Sequence, residues 1–326
     1  MAKTTSDAQA DNKPKSLLEK VITSTPVVMA VIATILAGLS SGESNQSQYF
    51  RAMAAQHQSK AGDQWSYFQA KKTRSAMAGQ ERMRYLGFAK PMSEASIAAL
   101  QNMLPGGGGE ALKDAAFKEA ILALNKPLAK LEEFKCPDAG MQEIYQAIAR
   151  GEEKSIDDKK LARLSEESID KAMELAKKMV KDADDQISPV LKSGKVFQDA
   201  LEQADASAMK TETRAGDAGT VSPFRQLVVD FTTAKLRFES ARLEREAKLN
   251  QNVATLFEVT VAKSTIQSRR ARTRSQYFFY GMLAAQAAVT IATMSLAVRD
   301  KNRMWGLAAG IGLIAVGYGA YIYVYT

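Results

Sequence analysis

The feature that most constrains this chain is the segregation of its charge. Three windows, Val21–Leu39, Tyr277–Val298 and Met304–Tyr325, contain no Asp, Glu, Lys or Arg, although charged residues make up 25% of the 326 residues. A helix rises 1.5 Å per residue, so roughly 20 apolar residues cross the 30 Å or so of hydrocarbon in a bilayer. The second and third windows meet that length. Tyr277, Phe278, Phe279 and Tyr280 stand at one end of the second, and Trp305, Tyr318, Tyr321, Tyr323 and Tyr325 stand towards the ends of the third. Aromatic residues favour those interfacial depths. Only Arg299-Asp300-Lys301-Asn302-Arg303 separates the two windows, which predicts an antiparallel hairpin with a charged tip. The unbroken apolar part of the first window, Val27–Leu39, is shorter, and Pro26 suits the first position of a helix capped by Thr25 or Ser24. It reads as an uncleaved anchor. With the lysine-bearing tail before it and Gly38-Leu39-Ser40 behind it, it also reads as a secretory signal. Either reading carries the following residues across the membrane.

Between the first and second windows the chain is rich in Ala, Glu, Lys, Gln, Leu and Met and poor in alternating β-branched residues, the composition of helix. Gln46–Arg84 contains no proline, and Pro223–Gln276 has no internal proline or glycine. In the latter, Phe224, Val228, Phe231 and Phe238, then Leu249, Val253 and Leu256, follow heptad-like spacing. These observations predict an all-α chain with three transmembrane helices, a long antiparallel coiled-coil stalk and a small helical cap domain. The segments are a polar tail (1–20), a first span (21–39), an outgoing stalk helix (40–89), a cap (90–220), a returning stalk helix (221–276) and two further spans (277–298 and 304–325). If both stalk helices leave the membrane level, facing residue numbers add to about 316, with one turn (roughly four residues) of play. Trp65 then faces Leu249–Val253. Pro91, Pro105–Gly109, Pro127, Pro137, Gly151 and Pro189 predict short helices in the cap, Glu110–Ala123 and Ile156–Gln186 (capped by Ser155) the clearest, with Arg214–Thr220 as a return loop. Entry and exit through such breakers imply a cap with local contacts that can be removed.

Little here points to chemistry. One cysteine, Cys136, and one histidine, His57, give neither a disulfide nor a histidine metal cluster. Neither has a sequence neighbour suited to nucleophilic or ligand chemistry. Pro105–Gly109 lacks the Lys-Ser/Thr of a phosphate-binding loop. We therefore expect no enzyme: no catalytic residue, no cofactor, no metal and no evident small-molecule substrate. A net charge of +8 invites nucleic acid, but the basic cluster Arg269, Arg270, Arg272 and Arg274 adjoins a span, where lipid phosphates are its natural contact. Nucleic acid is not an expected partner. The most distinctive segment runs from Gln64 to Arg74. Helical spacing puts Trp65, Phe68 and Lys72 on one face and Gln64, Tyr67 and Lys71 on the next, with Gln69 beside them. This is either a partner-docking surface or the packing face towards the returning helix. In the last span Gly306, Gly310 and Gly317 allow close approach of another helix, in the same bundle or in a second copy.

The stretch Gln64-Trp65-Ser66-Tyr67-Phe68-Gln69-Ala70-Lys71, following a short N-terminal apolar helix, resembles an uncharacterised family of bacterial membrane proteins, domain of unknown function 4337. Tyr277–Tyr280, Leu283, Gln286–Ala292, the short basic turn and the glycine-bearing last span resemble that family's closing hairpin. The resemblance covers about residues 20–85 and 230–326, and the middle looks like an insertion. It implies membrane location and a helical stalk and names no function. The expected role is a membrane-anchored structural or interaction protein that meets the lipid bilayer and a protein partner or another copy. The alternative is an accessory or sensory subunit whose cap binds a ligand. Basic residues near the spans tie between the two sides, seven against seven. The first helix usually decides orientation, and the lysines on its tail side place the cap outside the cytoplasm of a bacterial inner membrane.

Overall fold

The computed structural model describes residues 17–104, 110–129, 131–152, 156–212, 223–298 and 300–325. The polar tail up to residue 16, Pro105–Gly109, Ser155 and Arg214–Thr220 lie outside the described residues, and residues 17–20, expected in the tail, belong to the first helix. Among those described, all regular structure is helical: α1 (Leu17–Met83), α2 (Glu94–Met103), α3 (Glu110–Lys113), α4 (Ala115–Ala123), α5 (Ala139–Ala149), α6 (Asp158–Arg163), α7 (Glu166–Glu212), α8 (Pro223–Ser295) and α9 (Lys301–Tyr325). α1, α8 and α9 each contain a stretch long and apolar enough to cross a membrane. The chain forms two compact units, Met1–Ala54 with Ser264–Thr326, and Ala55–Lys263.

In the first unit α9 runs parallel to α1 and antiparallel to α8. Trp305 Nε1 donates to Thr25 Oγ1 at 2.8 Å, and Tyr277 meets Tyr318 edge-on. The helices approach through small residues. A Cβ on Gly312 would collide with the thioether of Met29, one on Gly319 would lie 3.0 Å from Leu36, and one on Gly281 would lie 3.4 Å from Leu36. Met29 and Leu36 are a heptad apart, as are Gly312 and Gly319, so knobs on one helix meet gaps on the other at the same period. Ala285, Ala288, Ala292, Ala308 and Ala315 are fully or almost fully buried. Pro26 does not open the helix, because α1 already starts at Leu17. The proline removes one intrahelical N–H, and the Thr25 hydroxyl bonds back to Val21 O at 2.7 Å.

In the second unit α7 lies on α8. Phe197, Ala200, Leu201 and Ala204 of α7 pack with Leu227, Phe231, Ala234 and Phe238 of α8 and with Ile97, Leu100, Phe117 and Ile121 of α2 and α4. Phe197 and Phe231 are 4.6 Å apart at their ring centroids. The cap is therefore not self-contained: its core is completed by the returning helix. Its punctuation also differs from the expected pattern. Asp114 breaks the 110–123 helix by capping α4, and Leu164 closes α6 before α7 begins. Pro189, expected as a breaker, lies inside α7. The buried stripe of Ile187, Phe197, Ala200 and Leu201 outweighs the hydrogen bond a proline forfeits.

Candidate functional site

The Gln64–Lys72 segment sits in α1 within the second unit, with Trp65 and Lys71 reaching α8. Trp65 Nε1 donates to Glu258 Oε1 at 2.7 Å. Phe68 stands edge-on to Trp65 at 5.3 Å, and Lys72 Nζ lies 5.6 Å over the Phe68 ring. Lys71 donates to Glu246, whose other carboxylate oxygen is 3.6 Å from Arg242. Lys71 is thus an internal ion-pair partner, while Gln64 is half-buried and Tyr67, Gln69 and Lys72 are exposed. The expected docking set divides accordingly. Trp65 and Lys71 hold α1 to α8, Phe68 packs between Trp65 and Lys72 on α1 itself, and Tyr67, Gln69 and Lys72 are left at the surface.

Three pairs of serines lie where the sequence arithmetic puts facing residues. In the first unit Ser40 Oγ donates to Ser275 O and Ser275 Oγ to Ser40 O, at 2.9 and 2.8 Å. Ser47 and Ser268 repeat the exchange at 3.0 and 2.9 Å. In the second unit Ser75 and Ser240 do so at 2.9 and 3.1 Å. The numbers of each pair add to 315, within the expected register. A serine hydroxyl reaches a carbonyl on another helix only where the two backbones are close, so these clasps mark tight approach. Buried Ala61, Ala247 and Ala254 continue the same heptad positions inside the second unit. Trp65 reaches Glu258, beyond the expected Leu249–Val253 turn. Helical side chains lean towards their own N-terminus, and in an antiparallel pair the two leans converge.

Other singled-out residues are placed as follows. Arg269, Arg270 and Arg272 are exposed, whereas Arg274 lies 3.9 Å from Glu43. A Cβ on Gly306, Gly310 or Gly317 would meet open space, so the close contacts within the chain fall to Gly281, Gly312 and Gly319 instead. His57 stands in α1. It is half-buried and stacked on Phe257 at 5.9 Å, with no hydrogen-bond partner at Nδ1. Burial, then Lys60, holds its imidazole below the ordinary 6.5, with Asp170 of α7 acting the other way. Burial and Asp138 push the Cys136 thiol up to about 11, the opposite of an activated nucleophile. Burial likewise pushes Tyr145 up to about 12, and its hydroxyl donates to Asn252 at 2.9 Å, tying α5 to α8. An open groove of about 690 Å³ runs between α7 and α8, lined by Leu201, Phe224, Val228 and Leu236 with Glu202, Lys235 and Glu239 at its edge. Among the described residues no three His, Cys, Asp or Glu are grouped to hold a metal ion.

Residues 18–104 match the model of a family described as a domain of unknown function (DUF4337). The matched stretch takes in Gln64–Lys72 and ends at Leu104, the C-cap of α2, so the C-terminal resemblance lies outside it. No curated protein and no solved structure matches the chain.

Proposed function

We propose that this chain is a membrane-anchored scaffold. α1, α8 and α9 cross a bacterial inner membrane, and the helical unit built on α1 and α8 meets a protein partner or another copy. The observation that carries the reading is the use made of the most distinctive side chains. Trp65 and Lys71 bond to Glu258 and Glu246 of α8, which ties two long helices into one stiff helical body. The reading assigns the chain no reaction, cofactor or nucleic-acid partner; Arg269, Arg270 and Arg272 meet lipid headgroups. The test is purification of the full chain in mild detergent. A protein co-purifying in fixed stoichiometry supports the scaffold. A small molecule that raises the unfolding temperature of a partner-free chain would support the second reading, a ligand-sensing accessory subunit, for which the groove between α7 and α8 is the favouring observation.

The unit carrying α2 to α7 stands outside the cytoplasm on this reading. Cys136 is a poor reporter of side, since with its thiol raised to about 11 it has roughly 100-fold less thiolate at neutral pH than at the ordinary 9.0. The exposed Lys177 serves better. In a Cys136→Ser background, Lys177→Cys in intact, outer-membrane-permeabilised cells should react with an impermeant maleimide. Reaction only after lysis of the inner membrane would reverse the orientation.

A further inference from the structure

α8 carries two heptad stripes where the Tyr277–Val298 window lies. One faces α1 and α9: Phe278, Ala285, Ala288, Ala292 and Ser295 are 0–3% exposed. The other is Phe279, Leu283, Gln286, Thr290 and Thr293, all exposed. Repeats of three and four residues on a bare helix face describe a seam for another helix.

The polar groups on that second stripe are not equivalent. Thr290 Oγ1 donates to Gln286 O at 3.1 Å, and Thr293 Oγ1 to Val289 O at 2.9 Å, so both hydroxyls are satisfied within the helix. The carboxamide of Gln286 has no hydrogen-bond partner among the described residues. It lies near the middle of the window, where a bilayer offers no water to replace one. A carboxamide in hydrocarbon is costly unless paired, and such side chains bond across neighbouring helices.

We propose that this face of α8 pairs with the same face of a second copy of the chain inside the bilayer, Gln286 hydrogen-bonding to Gln286. Copies inserted in the same orientation carry Gln286 at the same depth. A two-fold axis along the membrane normal then brings the residue onto itself. The carboxamide supplies both a donor and an acceptor, so it complements its own copy without any other polar group at that depth. The inference rests on α8 crossing the membrane, and it adds which surface and which partner.

The test uses the full chain in a Cys136→Ser background. Under oxidation in membranes, Leu283→Cys should form a disulfide-linked dimer at least about fivefold more readily than Leu313→Cys, which is the more exposed of the two (72% against 44%) but lies on α9. In phosphatidylcholine bilayers, energy transfer between labelled copies should show Gln286→Leu raising the dimer dissociation constant roughly tenfold, with Gln286→Asn close to the parent. Leucine is the more membrane-compatible residue, so insertion is not at risk. Equal cross-linking at both positions, or unchanged dimerisation in Gln286→Leu, with the chain still held by carbonate-washed membranes, overturns the pairing and leaves the span intact. Release of the parent chain by carbonate overturns both.

Discussion

His57 shows how a single side chain acquires properties from residues remote in sequence. Its Nδ1 is shielded and unpartnered, its ring lies on Phe257, and its pKa is held down chiefly by burial. The folded chain then binds protons less readily than the unfolded chain below the ordinary 6.5. Stability from this residue is fully present above pH 6.5 and is lost as the pH falls through 6.5 towards the depressed folded value. The unfolding midpoint of the detergent-solubilised chain should be flat above pH 7 and begin to decline as the pH falls below 6.5. His57→Phe, which keeps a ring against Phe257, should flatten that decline. An unchanged slope would show that other groups set it.

Among the elements, the pairing of α1 with α8 was legible in sequence, and its chemistry was not. The lack of proline in Gln46–Arg84 and of internal proline and glycine in Pro223–Gln276 points to both helices, and equal departure from the first and second apolar windows gives their register to within one residue of the serine pairs. The clasps themselves escaped notice because Ser40, Ser47, Ala61 and Ser75 do not read as an apolar stripe, although they keep heptad spacing. Gly312 and Gly319 were overshadowed by the more familiar Gly306-x-x-x-Gly310 spacing, and only the phase of α9 against Met29 and Leu36 decides between them. Pro189 misled for a related reason, since a local rule yields to a long buried stripe. Close approach at the clasps predicts an asymmetry. Ser75→Ala gives up one exchanged hydrogen bond and should cost about 1 kcal/mol, whereas Ser75→Leu forces the backbones apart and should cost about 1–3 kcal/mol. Chemical denaturation of the two variants checks this; equal losses would mean that the helices have room to spare.

For the molecule as a whole, the decisive fact is that the 90–220 region shares its core with α8. Sequence punctuation marks where the chain enters and leaves this region, but not which surface completes its packing. A chain joining Ala89 to Ser222 through glycines should therefore bare Leu227, Phe231, Ala234 and Phe238 and aggregate on extraction. Adding Leu227→Gln, Phe231→Gln and Phe238→Gln to that deletion should recover monodisperse material on size exclusion. Recovery of the simple deletion without these changes would show that the region is dispensable after all.

The reciprocal serine clasps also restrict how α1 and α8 can move along each other. Slipping by one residue or one turn takes both hydroxyls of a pair off their carbonyls. Only a slip of seven residues, about 10 Å, brings Ser40 opposite Ser268, and it strands Ser47 and Ser275. The clasped helices thus behave as a shaft with widely spaced detents rather than as a free piston. Any message carried along them has to travel as a twist or a bend.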